Sequence, residues 1–104
     1  MDPKISVIIP AYNEEPSIGL VLKDLPQKEL HEIIVVDNCS TDKTANVAAE
    51  NGARVVLEPR RGYGSACLKG ISSLSKTDIV VFLDGDYSDY PEEIYLLVNP
   101  IIKG

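Results

Sequence analysis

The chain reads as an α/β domain, a Rossmann-like three-layer α/β/α arrangement around a mostly parallel sheet. Three observations lead there. Four short apolar runs, residues 5–9, 32–36, 54–57 and 78–83, alternate with segments of helical periodicity or propensity. That alternation is the pattern of a parallel sheet covered by helices on both faces. The runs lack a polar–apolar alternation, as strands buried on both sides do. Three of them also lead into polar clusters, which parallel strands gather at one edge of the sheet. At 104 residues there is room for one core, and no linker interrupts the chain, so 1–104 is read as a single domain.

Each element follows from its residues. Residues 5–9 (ISVII) form a β-branched first strand that is expected to end at Pro10. Pro16 suits the first turn of a helix, and Ile18, Val21, Leu22 and Leu25 repeat along one helical face until Pro26 closes it. Residues 32–36 (EIIVV) form a second strand ending at Asp37. Ser40 and Thr41 are candidate N-caps for an Ala-rich helix over 43–51, and Gly52 is its expected left-handed stop. Residues 54–57 (RVVL) give a short third strand. A loop rich in Pro, Gly and Arg precedes a helix over 65–74, with Ala66, Leu68, Ile71 and Leu74 available for packing. Residues 78–83 form the fourth strand. Pro91, Glu92 and Glu93 start a further helix, which Pro100 ends or kinks near Asn99.

Composition excludes several classes. A net charge of −6 argues against a general nucleic-acid binder. Cys39 and Cys67 stand singly, without metal-ligand spacing, so reduced thiols and a cytoplasmic location are expected. His31 sits in a polar turn and reads as a surface residue. No apolar run approaches the length of a membrane span, and no signal peptide is visible.

The chemistry concentrates at the strand ends. The strongest stretch is FLDGDYSDYP, residues 82–91, where an apolar run stops abruptly at Asp84, Gly85 and Asp86. Two carboxylates one residue apart can turn toward one hard cation, and oxygen-only ligands favour Mg²⁺ or Mn²⁺ over zinc. Tyr12–Asn13–Glu14 and Asp37–Asn38 would share that edge. The Arg60–Arg61–Gly62–Tyr63–Gly64 loop brings cations and backbone N–H groups ahead of a helix, where phosphate binds readily. Together these offer acids for a metal, cations for phosphate and a pocket for a nucleoside. Each group also has a structural reading. Asp84 and Asp86 can be a solvated turn, Glu14 a dipole partner for its helix, Asp37 a helix-start turn residue, and Arg60–Arg61 an exposed basic pair.

Four motifs then resemble the nucleotide-binding half of family 2 glycosyltransferases, which have the GT-A fold. They are ISVIIPAYNEE (5–15), IIVVDNCSTDKT (33–44), RRGYGSACLKGI (60–71) and VVFLDGDYSDYPEE (80–93), spanning nearly the whole chain. The nearest likeness is to polyprenyl-phosphate (dolichyl-phosphate) sugar synthases. The resemblance implies that Pro10, Tyr12 and Glu14 line a pocket for base and ribose, and that Asp37 hydrogen-bonds the base. It implies Arg61 near the diphosphate, Asp84 by the ribose and the metal's outer sphere, and Asp86, the second acid of a DxD motif, on Mg²⁺ or Mn²⁺. The implied partners are a UDP- or GDP-linked sugar and a lipid-phosphate acceptor, at the cytoplasmic face of a membrane in full-length relatives.

The departures are informative. Ser88 and Asp89 stand where mannosyl transferases of this type carry Gln and His, which leaves the sugar and the nucleotide open. Cys39 replaces a more usual Gly. The family's acceptor-binding half, with any general base, is expected beyond residue 104, so no catalytic base is assigned. A dinucleotide-binding oxidoreductase is the competing enzyme class, since residues 62–67 loosely echo GxGxxG. That fingerprint belongs after the first strand, whereas here it follows the third. A catalytically silent nucleotide-binding module is the second alternative. Apolar surface left for a missing half to cover also predicts a homodimer; a monomeric mass by light scattering across concentrations would count against it.

Overall fold

Val7, Ile8 and Ile9 have no solvent exposure, so the first apolar run lies at the middle of the sheet with both faces covered. The computed structural model describes residues 3–85. They form β1 (Ile5–Ala11), α1 (Glu15–Asp24), a single 3₁₀ turn (Gln27–Glu29), β2 (Glu32–Asp37), α2 (Thr44–Glu50), β3 (Arg54–Leu57), α3 (Tyr63–Ser72) and β4 (Ile79–Phe82). The strands form one sheet in the order β3-β2-β1-β4, and every pairing is parallel. The helix expected after Pro91 lies outside the described residues.

Strand side chains alternate between faces, and the core divides accordingly. Val7, Ile9 and Ala11 pack with Ile33 and Val35 against Ile18, Val21 and Leu22 of α1 and Ala48 of α2. On the other face Ile8, Ile34 and Val36 pack against Ala66 of α3. This is the α/β/α layering the apolar runs predicted.

Three local expectations are corrected. β1 continues through Pro10 to Ala11, with Pro10 beside Val36. Proline is poorly tolerated in central strands because it has no N–H to donate. Here the geometry removes the cost. In a parallel strand, alternate residues direct their backbone groups to opposite neighbours. Ile8 accepts from Leu83 on the β4 side, and Ala11 accepts from Asn38 on the β2 side. Pro10 therefore faces β4, past the last β1–β4 pair, Ile8 with Phe82.

Ser40 and Thr41 do not cap α2. The cap position is Lys43, and Asp42 just before it meets the first helical residue instead, accepting from the Thr44 N–H at 3.0 Å and from the Thr44 hydroxyl. Its other oxygen accepts the Glu15 N–H at 3.2 Å. The Thr44 hydroxyl, together with the Thr44 and Glu15 N–H groups, outweighs partial desolvation and holds the Asp42 carboxyl below its ordinary range. Gly52 is the helix stop as expected, at φ +94°. In α3, which begins at Tyr63 rather than Ser65, Leu68 and Ile71 are 69% and 50% exposed. The line that meets the sheet is Ala66, Gly70 and, beyond the helix end, Leu74.

Glu32 ties three elements together. It bonds Arg54 of β3 at 3.1 Å and receives both the N–H (3.0 Å) and the hydroxyl (2.7 Å) of Ser75, beyond α3. Burial pushes its carboxyl up, but the Ser75 groups and the Arg54 guanidinium outweigh this and hold it below the ordinary carboxyl range. A carboxyl depressed on folding stabilises above its unfolded pKa, and the gain is lost as pH falls through the folded one. Glu32→Gln should therefore destabilise the fold at neutral pH by less than about 1 kcal/mol, because Arg54 is solvated, and so lower the thermal unfolding midpoint. The gap to the parent protein should close in acid; a gap that is constant with pH would contradict this origin.

Candidate functional site

The C-terminal ends of β1, β2 and β4 meet the start of α3 around a cleft of about 320 Å³. β1 supplies Pro10 and Ala11, and the residues after it supply Tyr12 and Glu14. Asn38 follows β2, while Asp84 and Gly85 follow β4. Arg61, Tyr63 and Ala66 close the side formed by α3. The sequence thus placed Pro10, Tyr12, Glu14, Arg61 and Asp84 at one edge, and they line one cleft.

Local folding explains how each is held. Asn13 adopts a left-handed φ of +51°, which Asn tolerates better than most residues. Its N–H donates to the Ser40 hydroxyl at 2.9 Å, and its side-chain oxygen accepts the Thr41 N–H at 2.8 Å. Ser40 and Thr41 therefore bind the two strand-end loops to each other. The Glu14 N–H donates to the buried Thr44 hydroxyl at 2.9 Å, fixing the start of α1 beside the cleft.

Behind Asp84, Leu83 is buried and its N–H donates to the Ile8 carbonyl at 3.1 Å. Ahead of it, the Ser17 hydroxyl donates to the Gly85 carbonyl at 2.6 Å. Gly85 lies so close to α1 that a Cβ would come 3.2 Å from Glu14 Cγ. Asp84 is thus carried between two fixed points. Asp86, the expected metal ligand, lies outside the described residues.

The opposite wall is cationic. The Arg61 guanidinium lies over the Tyr12 ring, 3.7 Å from its centroid, a cation–π contact. Gly62, at φ +138°, precedes α3, whose first turn reaches the cleft through Tyr63 and Ala66. A helix N-terminus favours anions, so this wall suits phosphate.

Asp37 and Asn38 are placed differently at the end of β2. Asp37 does not line the cleft. It is largely buried, and its carboxylate accepts the Ser40 N–H at 3.1 Å, the turn-forming role. Asn38 lines the cleft instead. Strand parity carries the signal that finds it: Ile34, Val36 and then Asn38 fall on the α3 side, whereas Asp37 falls with Val35 on the other. Cys39 has φ +71°, a region that favours glycine, which accounts for the Gly more usual at this position.

Among the described residues no group of three or more His, Cys, Asp or Glu side chains could hold a metal ion. Magnesium-type sites need no such cluster, because one or two carboxylates act together with substrate phosphates and water. An oxygen donor at Asp84, facing a phosphate-compatible wall, fits that pattern.

A parallel sheet that gathers carboxylates, a guanidinium and a helix N-terminus at its C-terminal edge defines an α/β domain with one ligand cleft at that edge. The chain belongs to glycosyl transferase family 2, whose family model matches residues 6–104. It is 44% identical over 100 residues to an uncharacterised glycosyltransferase of Mycobacterium tuberculosis, covering 96% of this chain and 44% of that protein. It is 36% identical over 115 residues to an undecaprenyl-phosphate 4-deoxy-4-formamido-L-arabinose transferase of Photorhabdus laumondii, covering 97% of this chain and 34% of that one. Among solved structures it is similar to glucosyl-3-phosphoglycerate synthase from Mycobacterium tuberculosis in complex with Mn²⁺, UDP and glucosyl-3-phosphoglycerate. The TM-score is 0.88 at 35% identity, covering 98% of this chain and 40% of that one. The chain thus spans less than half the length of these three proteins. Among the described residues, no helix is long and apolar enough to cross a membrane.

Proposed function

We propose that this domain binds a nucleotide-diphosphate sugar together with Mg²⁺ or Mn²⁺, for transfer of the sugar to an acceptor of the polyprenyl-phosphate class. The observation that carries the reading is the convergence of Tyr12, Glu14, Arg61 and Asp84 on one cleft in a chain of this family. Pro10 and Tyr12 form the wall for base and ribose, with Glu14 beside them. Arg61 and the start of α3 face the diphosphate. Asp84 serves the ribose and the metal's outer sphere, and Asp86, next in the DxD motif, ligates the metal. A divalent cation bound there neutralises charge on the departing nucleotide diphosphate. Asp37 is assigned to the base by family likeness, and its carboxylate also shapes the turn carrying Asn38.

UDP is the favoured nucleotide, because the similar glucosyl-3-phosphoglycerate synthase was crystallised with UDP and with UDP-glucose in the presence of Mn²⁺. The lipid-phosphate acceptor rests on the likeness to an undecaprenyl-phosphate transferase. Calorimetric titration of UDP and GDP, with and without Mn²⁺, tests the site. The expected result is UDP binding that strengthens with the metal. No binding of either nucleotide to folded protein would overturn the reading. A silent nucleotide-binding module shares the ligand and differs in turnover; glycosylated lipid made by this chain alone would exclude it.

A further inference from the structure

We infer that Asn38 is the positioning residue that holds Arg61 and the start of α3 at the cleft, acting on the phosphate end of the ligand and not on the base. The inference rests on the nucleotide-diphosphate reading above. Asn38 is 3% exposed, and its carboxamide is fully used. The side-chain oxygen accepts from Arg61 Nη1 at 3.0 Å and from the Gly62 N–H at 2.9 Å. The nitrogen donates to the Glu58 and Arg60 carbonyls, both at 2.9 Å. Its neighbours settle which end of the amide is which, since a backbone N–H must meet oxygen and a carbonyl must meet N–H. Two acceptor and two donor functions are the whole capacity of the group. None remains for a nucleobase in this arrangement.

The latch joins three parts of the site. The Asn38 N–H donates to the Ala11 carbonyl at the end of β1, and the Asn38 carbonyl accepts from Arg61 at 3.3 Å. One residue therefore anchors to the central strand, closes the 58–62 loop and sets the guanidinium above Tyr12. Gly62 stands at φ +138°, so the Gly62 N–H bond also fixes the unusual backbone that starts α3. Arg61 then reaches an incoming diphosphate already oriented, with little side-chain entropy left to lose.

The test uses Asn38→Ala and Asn38→Asp, with two ligands and one ligand-free readout. Asn38→Ala should weaken UDP binding about tenfold, the equivalent of one hydrogen bond to a charged group, and leave uridine binding unchanged. In the absence of ligand it should also abolish the upfield shift that the Tyr12 ring imposes on the Arg61 side-chain protons, identified by its loss in Tyr12→Leu. Asn38→Asp keeps oxygens for Arg61 and Gly62 but sets a carboxylate oxygen against the Glu58 and Arg60 carbonyls, so it should weaken that shift without abolishing it. An equal loss of uridine and UDP affinity would mean that Asn38 reads the base, and would overturn the inference. So would an Arg61 shift that survives Asn38→Ala. If the parent protein binds no nucleotide, the function fails but the latch is still decided by the Arg61 shift. If Asn38→Ala does not fold, Asn38→Ser takes its place as the variant without a carboxamide: loss of the shift upholds the inference and its survival overturns it.

Discussion

Gly70→Val is expected to lower the thermal unfolding midpoint by roughly 12–24 °C. That figure corresponds to about 3 kcal/mol, at ~4–8 °C per kcal/mol for a domain of this size. The reason is one contact. A Cβ on Gly70 would lie 2.5 Å from Ile8 Cγ2, and also 3.2 Å from Ile8 Cδ1 and 3.3 Å from Val36 Cγ2. Carbon atoms prefer about 3.5–4.0 Å. Ile8 is fully buried on the central strand, and β-branching makes its χ1 stiff, so Cγ2 has nowhere to turn. Relief has to come from α3 lifting off the sheet.

The smaller change separates cause from coincidence. Gly70→Ala gains about 1 kcal/mol of helix propensity and loses it again to the clash. Ile8→Ala alone should cost about 2–5 kcal/mol through the cavity it leaves. Combined, the two should cost clearly less than Ile8→Ala by itself, because the methyl introduced at position 70 enters the vacated space. Circular-dichroism melts of the two single variants and the double variant check this. Strict additivity would mean that Gly70 and Ile8 are uncoupled and that close packing is not why position 70 is glycine. Lifting α3 would also disturb Tyr63 and Ala66, so Gly70→Val should weaken the cleft as well as the fold.

Gly70 also explains why α3 was misread from the chain. Hydrophobic periodicity sees Leu68 and Ile71 and assigns them to the core. The helix approaches the sheet along Ala66, Gly70 and Leu74, a line whose small members carry almost no hydrophobic signal. A close-packed helix face can be the least apolar one, and the large residues are then left outside. The two central strands were legible for the opposite reason, since Ile5 and Val7 of β1 and Ile33 and Val35 of β2 have no competing solvent face; the edge strands β3 and β4, where Leu57 and Phe82 are exposed, were legible as short apolar runs alone. The site followed the same division. Glu14, Arg61 and Asp84 were legible because parallel topology gathers strand ends at one edge. Ser40, Thr41 and Asp42 were not sorted, because all three are capping types. Which partner each one meets depends on the neighbouring loop: Ser40 accepts the Asn13 N–H, Thr41 donates to the Asn13 side-chain oxygen and Asp42 accepts the Glu15 N–H. That loop is 27 residues away in sequence. The sequence brings Asp37 and Asn38 to that edge together, and strand parity is what separates them, setting Asn38 on the α3 side that lines the cleft.

Asp86→Asn is expected to weaken Mn²⁺-dependent UDP binding by at least about 100-fold, about 2.7 kcal/mol, while the fold survives. Asn keeps an oxygen at the same position but removes the charge, and hard divalent cations depend on charged oxygen donors. A single charge pair at 4 Å amounts to about 4 kcal/mol at an effective dielectric of 20, so the expected loss lies within the electrostatic scale. Asp84→Asn should lose less, because its proposed role is to the ribose and the metal's outer sphere. Asp78 provides the control. It lies just before β4, at the far end from the cleft, where it accepts the Lys4 N–H at 2.7 Å. Asp78→Asn removes the same charge at the opposite end of the same strand and should leave UDP affinity unchanged. Titration of the three variants with UDP, with and without Mn²⁺, separates a local effect from a general one. Metal-free binding should be nearly equal in the parent protein and Asp86→Asn, because Tyr12 and Arg61 are intact in both. If Asp86→Asn retained the full metal enhancement, the cation would be held by other groups, and the DxD reading of residues 84–86 would be wrong even if the nucleotide site were right. If Asp78→Asn lost as much as Asp86→Asn, the acids would matter through the net field of the domain and not through a bound metal.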